Sequence, residues 1–106
     1  MKANRVLLAP EAQEQAGIID AWWRENRPSA PELFASELSN ALSVLAAAAK
    51  IGQPFAHPRL PDVRRLLLRS TRYHLYYRAR EETVIVVAIW SSVRGFGPDL
   101  SRFGAI

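Results

Sequence analysis

Between Asp62 and Arg94 the hydrophobic and polar positions follow the pattern of strands. Successive side chains of an extended chain point to opposite faces. Three runs, roughly 63–69, 72–80 and 83–90, follow one another with short links, which predicts antiparallel pairing. In the middle run Tyr73, Leu75, Tyr77 and Ala79 share one face. Arg72, His74, Tyr76, Arg78 and Arg80 share the other. The first face suits a core, with Tyr77 inside it. The second is cationic and aromatic, and Tyr76 is expected to join it. Thr83 to Trp90 is apolar on both faces, as expected of a strand in the middle of a sheet. No Asn-Gly pair marks Arg80-Glu81-Glu82-Thr83, so that hairpin rests on periodicity alone.

The N-terminal half changes period. Asn4 to Ala9 reads as a short first strand. Pro10 sits where a helix can begin, because its missing N–H costs nothing in the first turn. Ala12, Ala16, Ile19 and Trp23 recur at helical spacing, with Ile18 and Trp22 beside them. Trp22 and Trp23 are adjacent and cannot share a helix face, so one is expected in the core and the other partly exposed. This helix should stop near Asn26, since Arg27 precedes Pro28. Ser29 and Glu32 have the spacing of a capping box, which predicts a second helix from about Ala30 to Lys50. Its stripe is Leu33, Phe34, Leu38, Ala41, Leu42, Leu45 and Ala49, and Gly52 is the expected stop. The short link predicts an antiparallel helical hairpin. Residues 51–61 read as a proline-containing loop, and the tail from Ser91 also reads as loop.

The order is therefore β-α-α-β-β-β. It predicts an α+β layer arrangement in which a helical hairpin covers one face of an antiparallel sheet. The hairpin is expected on the Tyr73/Leu75/Tyr77 face, which leaves the basic face open or partly open. With 106 residues the chain is expected to form one domain, 1–106.

Charge sharpens this picture. Residues 1–57 hold five Lys/Arg against six Asp/Glu, a net −1, while 58–106 hold nine against four, a net +5. All nine cations of the second half are Arg, which makes bidentate contacts with phosphate and carboxylate and stacks on aromatic planes. The absence of cysteine excludes a disulfide scaffold, a thiolate nucleophile and Cys-based zinc sites, and it fits a cytoplasmic location. The two histidines are isolated, so no metal site and no cofactor is expected. Charge and Pro10 come too early for a signal peptide, and the longest apolar stretch, Ala41–Ala49, is too short for a membrane span.

The first strand, the Pro-Glu-Ala helix start, the hairpin, and the stretch VRRL…RYHLYYRAREETVIVVAIWSSVRG together resemble the RelE/ParE superfamily of type II toxins. The individual motifs are degenerate, but their order, spacing and total length are more specific together. The resemblance implies a small toxin neutralised by a cognate antitoxin, with operator DNA reached only through that antitoxin. RelE-like members cut mRNA within the ribosome. ParE-like members poison DNA gyrase and are not nucleases.

RNA cleavage by 2′-hydroxyl attack needs a base, an acid and cations for the developing charge. By position, the family's basic pair falls on Arg65 and Leu67, an Arg of its Tyr-Arg-Leu-x-Tyr block falls on His74, and the C-terminal Tyr falls on Leu100. The Arg after the last strand is kept as Arg94. Arg is a poor general base because it stays protonated. His74 is thus the one good titrating group left, as an acid/base or as a hydrogen-bonded strand-face histidine. His74 and Arg94 are catalytic residues only on the RelE-like reading. The resemblance is closer to the ParE-like branch, where partner binding would fall to Arg65, Arg69, Arg72, Tyr76, Arg78 and Trp90. The expected target is DNA gyrase; the alternative is the ribosome and its mRNA.

Overall fold

The computed structural model describes residues 3–58, 60 and 62–93. The elements are β1 (Arg5–Leu8), α1 (Pro10–Asn26), α2 (Leu33–Ala47), β2 (Gln53–Pro54), β3 (Val63–Leu68), β4 (Tyr73–Arg80) and β5 (Thr83–Ser91). The strands form one sheet in the order β1-β5-β4-β3-β2. β2, β3, β4 and β5 pair antiparallel, while β1 runs parallel to β5, which makes the sheet mixed. The α+β arrangement and element order agree with the sequence reading. The parallel β1 corrects the expectation of an antiparallel sheet, and the two-residue β2 lies in the stretch expected to be loop.

The helices sit on one face. Phe34, Ala41 and Leu45 from α2 and Ala12 from α1 pack with Leu68, Leu75, Tyr77, Val84, Val86 and Ile89. Trp23 packs against this cluster, and Trp22 is 42% exposed, which decides between the two adjacent tryptophans. Apart from Leu33, which is exposed at the start of α2, the predicted stripe residues pack on the sheet, because burial of one face is what holds an amphipathic helix there.

α2 is shorter at both ends than its pattern predicts. Pro31 keeps Ala30 out of the helical region. A turn precedes the helix instead, with the Ala30 N–H donating to Arg27 O and the Leu33 N–H to Ala30 O. Glu32 is the N-cap and no side chain caps the helix, so the capping box from Ser29 does not form. Gly52 is not the helix stop. It lies buried where β2 begins, and its N–H donates to Tyr77 Oη at 2.9 Å. A Cβ there would stand 2.6 Å from that oxygen and 2.9 Å from Arg65 O, so the position admits no side chain.

One irregularity in the sheet has consequences for the second face. Tyr76 pairs with Ala88 and Tyr77 with Val86, which makes Val87 the extra residue of a β-bulge. The bulge moves the later residues of β5 by one step. Ile89 consequently faces the helices, and Trp90 joins the opposite face beside His74.

Candidate functional site

The face away from the helices carries the arginine-rich pattern, and it is only partly open. Its rows are fixed by register: Leu67–His74–Trp90, Arg65–Tyr76–Ala88 and Val63–Arg78–Ile85. A second small core forms over the lower two rows. Leu60, Val63, Tyr76, Val87 and Ala88 are buried there with Ala9, and Phe55, Ile85 and Trp90 pack against them. Phe55 meets the Tyr76 ring edge-on at 5.0 Å, and the Arg65 guanidinium lies 5.3 Å over Phe55.

This corrects two of the expected binding residues. Tyr76 is 2% exposed and Arg78 is 4% exposed, so neither belongs to an open surface. A guanidinium can be buried when its charge and donors are matched. Asp62 provides the match. Arg78 Nε donates to Oδ1 at 2.9 Å and Nη2 to Oδ2 at 3.2 Å, and Arg80 Nε lies 2.9 Å from Oδ2. Burial alone would push the Asp62 carboxyl up. Hydrogen bonds and charge from Arg78, with Arg80, outweigh that and hold its pKa below the ordinary carboxylate value. The sequence reading missed Asp62 and Phe55. A signal for Asp62 existed, since it is the only acidic residue between Glu37 and Glu81.

Arg72 needs a different correction. β4 begins at Tyr73, and Arg72 sits in the preceding turn at φ 69°, exposed rather than in the strand row. Its N–H donates to Leu68 O, and its own carbonyl accepts from Ser92 N and Ser92 Oγ, both at 2.8 Å. Arg69 lies exposed in the same turn. The turn is tied to the helices by Glu37, whose carboxylate accepts from Ser70 N at 2.7 Å, Thr71 N at 2.9 Å and Thr71 Oγ1 at 2.6 Å. Burial opposes ionisation of Glu37, and these three hydrogen bonds more than offset it, so its pKa is lowered.

What stays accessible is the upper part of the face, with Arg65, Leu67, His74 and Trp90 partly or fully exposed, and with Arg69 and Arg72 at its end. His74 lies edge-on to Tyr76 at 6.0 Å. Burial, and then the positive charge of Arg65, lower its pKa, so the imidazole is neutral near pH 7. Arg94 and Leu100 lie outside the described residues. Among the described residues no group of His, Asp and Glu could hold a metal ion, and no helix is long and apolar enough to cross a membrane.

This patch can present cations and flat apolar surface to a partner. Its titratable side chain with a shifted pKa is a single imidazole. No curated protein sequence matches the chain. The architecture has close counterparts among solved structures. A chromosomal ParDE toxin–antitoxin system from P. aeruginosa aligns at a TM-score of 0.71 and 15% identity, over 84% of this chain and 96% of that one. The isolated RelE toxin of E. coli aligns at a TM-score of 0.58 and 18% identity, over 97% of this chain and 96% of that one. A mutant of RelE from E. coli in the free state aligns at a TM-score of 0.56 and 20% identity, over 86% and 85%. At these identities the structures speak to fold. The sequence itself is more specific: residues 6–96 match the family model for the ParE toxin of the type II toxin–antitoxin system parDE. The chain belongs to the ParE toxin family.

Proposed function

We infer that this toxin acts by binding DNA gyrase in the cytoplasm, without cutting RNA, and is held inactive by a cognate antitoxin. The carrying observation is the pairing of Arg78 with Asp62 inside the second core. It removes a cation from the face where RNA chemistry would need one, and Tyr76 is buried beside it. The accessible remainder, Arg65, Leu67, His74 and Trp90 with Arg69 and Arg72, is suited to recognising an anionic or mixed surface. Acid–base catalysis needs two proton-handling groups in reach of one reacting centre.

One observation favours the RelE-like alternative. His74 is partly exposed and neutral near pH 7, the state a general base requires. Two purified assays separate the readings. A gyrase inhibitor blocks supercoiling by gyrase and leaves ribosome-bound mRNA intact, and His74→Ala keeps that inhibition. Codon-positioned mRNA cuts that disappear in His74→Ala would overturn the gyrase reading.

A further inference from the structure

The accessible end of the sheet face has a chemistry more specific than positive charge. The row Leu67–His74–Trp90 crosses β3, β4 and β5, and neighbouring strands lie about 4.7–4.9 Å apart. His74 and Trp90 are therefore directly paired, and both are partly exposed. Trp90 also packs against the second core, which holds its ring in place. In the next row the Arg65 guanidinium lies 5.3 Å over the Phe55 ring. Planar groups thus fill one small area. Cations surround it: Arg65 within the area, and Arg69 and Arg72 in the turn at its end. These three arginines make no ion pair among the described residues, unlike Arg24, Arg78 and Arg80.

Unpaired guanidinium groups beside flat rings select among anionic ligands. A carboxylate-rich surface satisfies the cations and gives the rings nothing to stack on. Duplex nucleic acid also satisfies the cations, but its bases are stacked on one another inside the helix. A single strand offers phosphates and open base planes together. Leu67 decides the sugar. It is 40% exposed and stands between Arg65 and Arg69 along the chain. A deoxyribose presents a methylene where ribose presents a hydroxyl. Pressed on a leucine side chain, that hydroxyl would lose water without gaining a partner.

We propose that this end of the sheet binds single-stranded DNA, with a base stacked on Trp90 beside His74 and phosphates on Arg65, Arg69 and Arg72. The proposal rests on the gyrase reading above only for the source of that DNA. An enzyme that cuts and rejoins DNA presents parted strands close to any protein held at its cutting site. The toxin then grips the DNA of its target as well as the target's surface. The site binds and does not cut: Trp90 is a stacking platform and the arginines hold phosphate charge.

The test is titration of a dye-labelled oligothymidylate of about ten residues with the purified toxin, followed by fluorescence anisotropy at low salt. The wild type should bind it. Trp90→Leu should weaken binding about 5- to 150-fold, the range for losing one base–aromatic stack. Trp90→Phe keeps a ring and should stay within about threefold. Arg72→Gln lies in an exposed turn, so it reads binding without disturbing the core. It should lower the slope of log affinity against log salt by about 0.7, the share of one phosphate contact on a single strand. No binding by the wild type overturns the proposal. So does unchanged affinity in Trp90→Leu, which would leave only attraction between a cation and a polyanion. Tighter binding of an oligouridylate of the same length overturns it by giving the face to RNA. Supercoiling by gyrase is assayed with the same protein. Inhibition without oligonucleotide binding overturns the DNA site and leaves the gyrase reading standing. Oligonucleotide binding without inhibition overturns the gyrase reading and supports the site.

Discussion

Arg78 and Asp62 hold each other in a two-point grip, Nε to Oδ1 at 2.9 Å and Nη2 to Oδ2 at 3.2 Å, with the arginine side chain 5% exposed. The pair fastens the segment before β3 to the middle of the sheet. It turns a residue that looks like part of a binding surface into part of a core. Removing only the carboxylate strands a buried guanidinium. Asp62→Ala should therefore destabilise the fold by about 3 kcal/mol, and Arg78→Met, which replaces the buried charge with apolar volume, by much less. Urea unfolding of the two variants tests this. Equal losses would show that the pair is ordinary surface electrostatics.

Asp62 and Glu37 also set the acid response. Both carboxyls titrate lower in the folded chain than their ordinary values. A group with a depressed folded pKa binds more protons in the unfolded state, so its contribution is complete above the unfolded value and vanishes as pH falls through the folded one. These carboxyls should add a decline below about pH 4 to the smaller loss that begins near pH 6.5, where His74, whose folded pKa is also lowered, takes up its proton more readily in the unfolded chain. Glu37→Gln should flatten part of that decline. A melting temperature indifferent to pH between about 5 and 3 would contradict the assignment of these groups.

Gly52 and Tyr77 form a close approach between the α2–β2 connection and the sheet. Gly52→Ala should cost about 1–3 kcal/mol, as a Cβ there collides with Tyr77 Oη and with the backbone oxygen of Arg65. Tyr77→Phe should cost about 1–3 kcal/mol by leaving the buried Gly52 N–H without its acceptor. The double variant should lose less than the sum, because the hydroxyl is also what the new methyl group strikes. Strict additivity in denaturant unfolding would refute that coupling.

The β4–β5 turn places Glu81 at φ 46° and Glu82 at φ 69°. Positive φ at both central residues is the signature of a type I′ turn, which favours Asn-Gly. Glutamate at both positions is a local conflict. Glu81→Asn should raise stability by about 0.5 kcal/mol without touching the core, since asparagine tolerates the left-handed region. A fall in stability would mean that the Glu81 side chain supports the fold.

Reversing charge separates surface arginines from internal ones. Arg72→Glu should leave the melting temperature nearly unchanged and slow antitoxin association, with the wild-type rate falling as salt is added. Arg78→Glu should unfold the protein instead, because it buries a carboxylate against Asp62. Calorimetry and stopped-flow mixing at two salt concentrations read the two effects. A folded Arg78→Glu protein would reopen the case for Arg78 as a binding residue.

The amino-acid sequence by itself determined the layers. Strand alternation assigned Tyr73, Leu75 and Tyr77 to the helix face and His74, Tyr76 and Arg78 to the other, and those assignments stand. The helix stripes and the start at Pro10 were equally legible, because burial periodicity and proline geometry are local properties. Local properties do not reveal which face stays wet. That depended on Phe55 and Leu60 folding over Tyr76, and on Asp62 reaching Arg78 across 16 positions of chain. Nor did alternation place Trp90, since the bulge at Val87 moves it to the other side from simple counting. Periodicity records how often a side chain is buried; only the assembled chain decides what buries it.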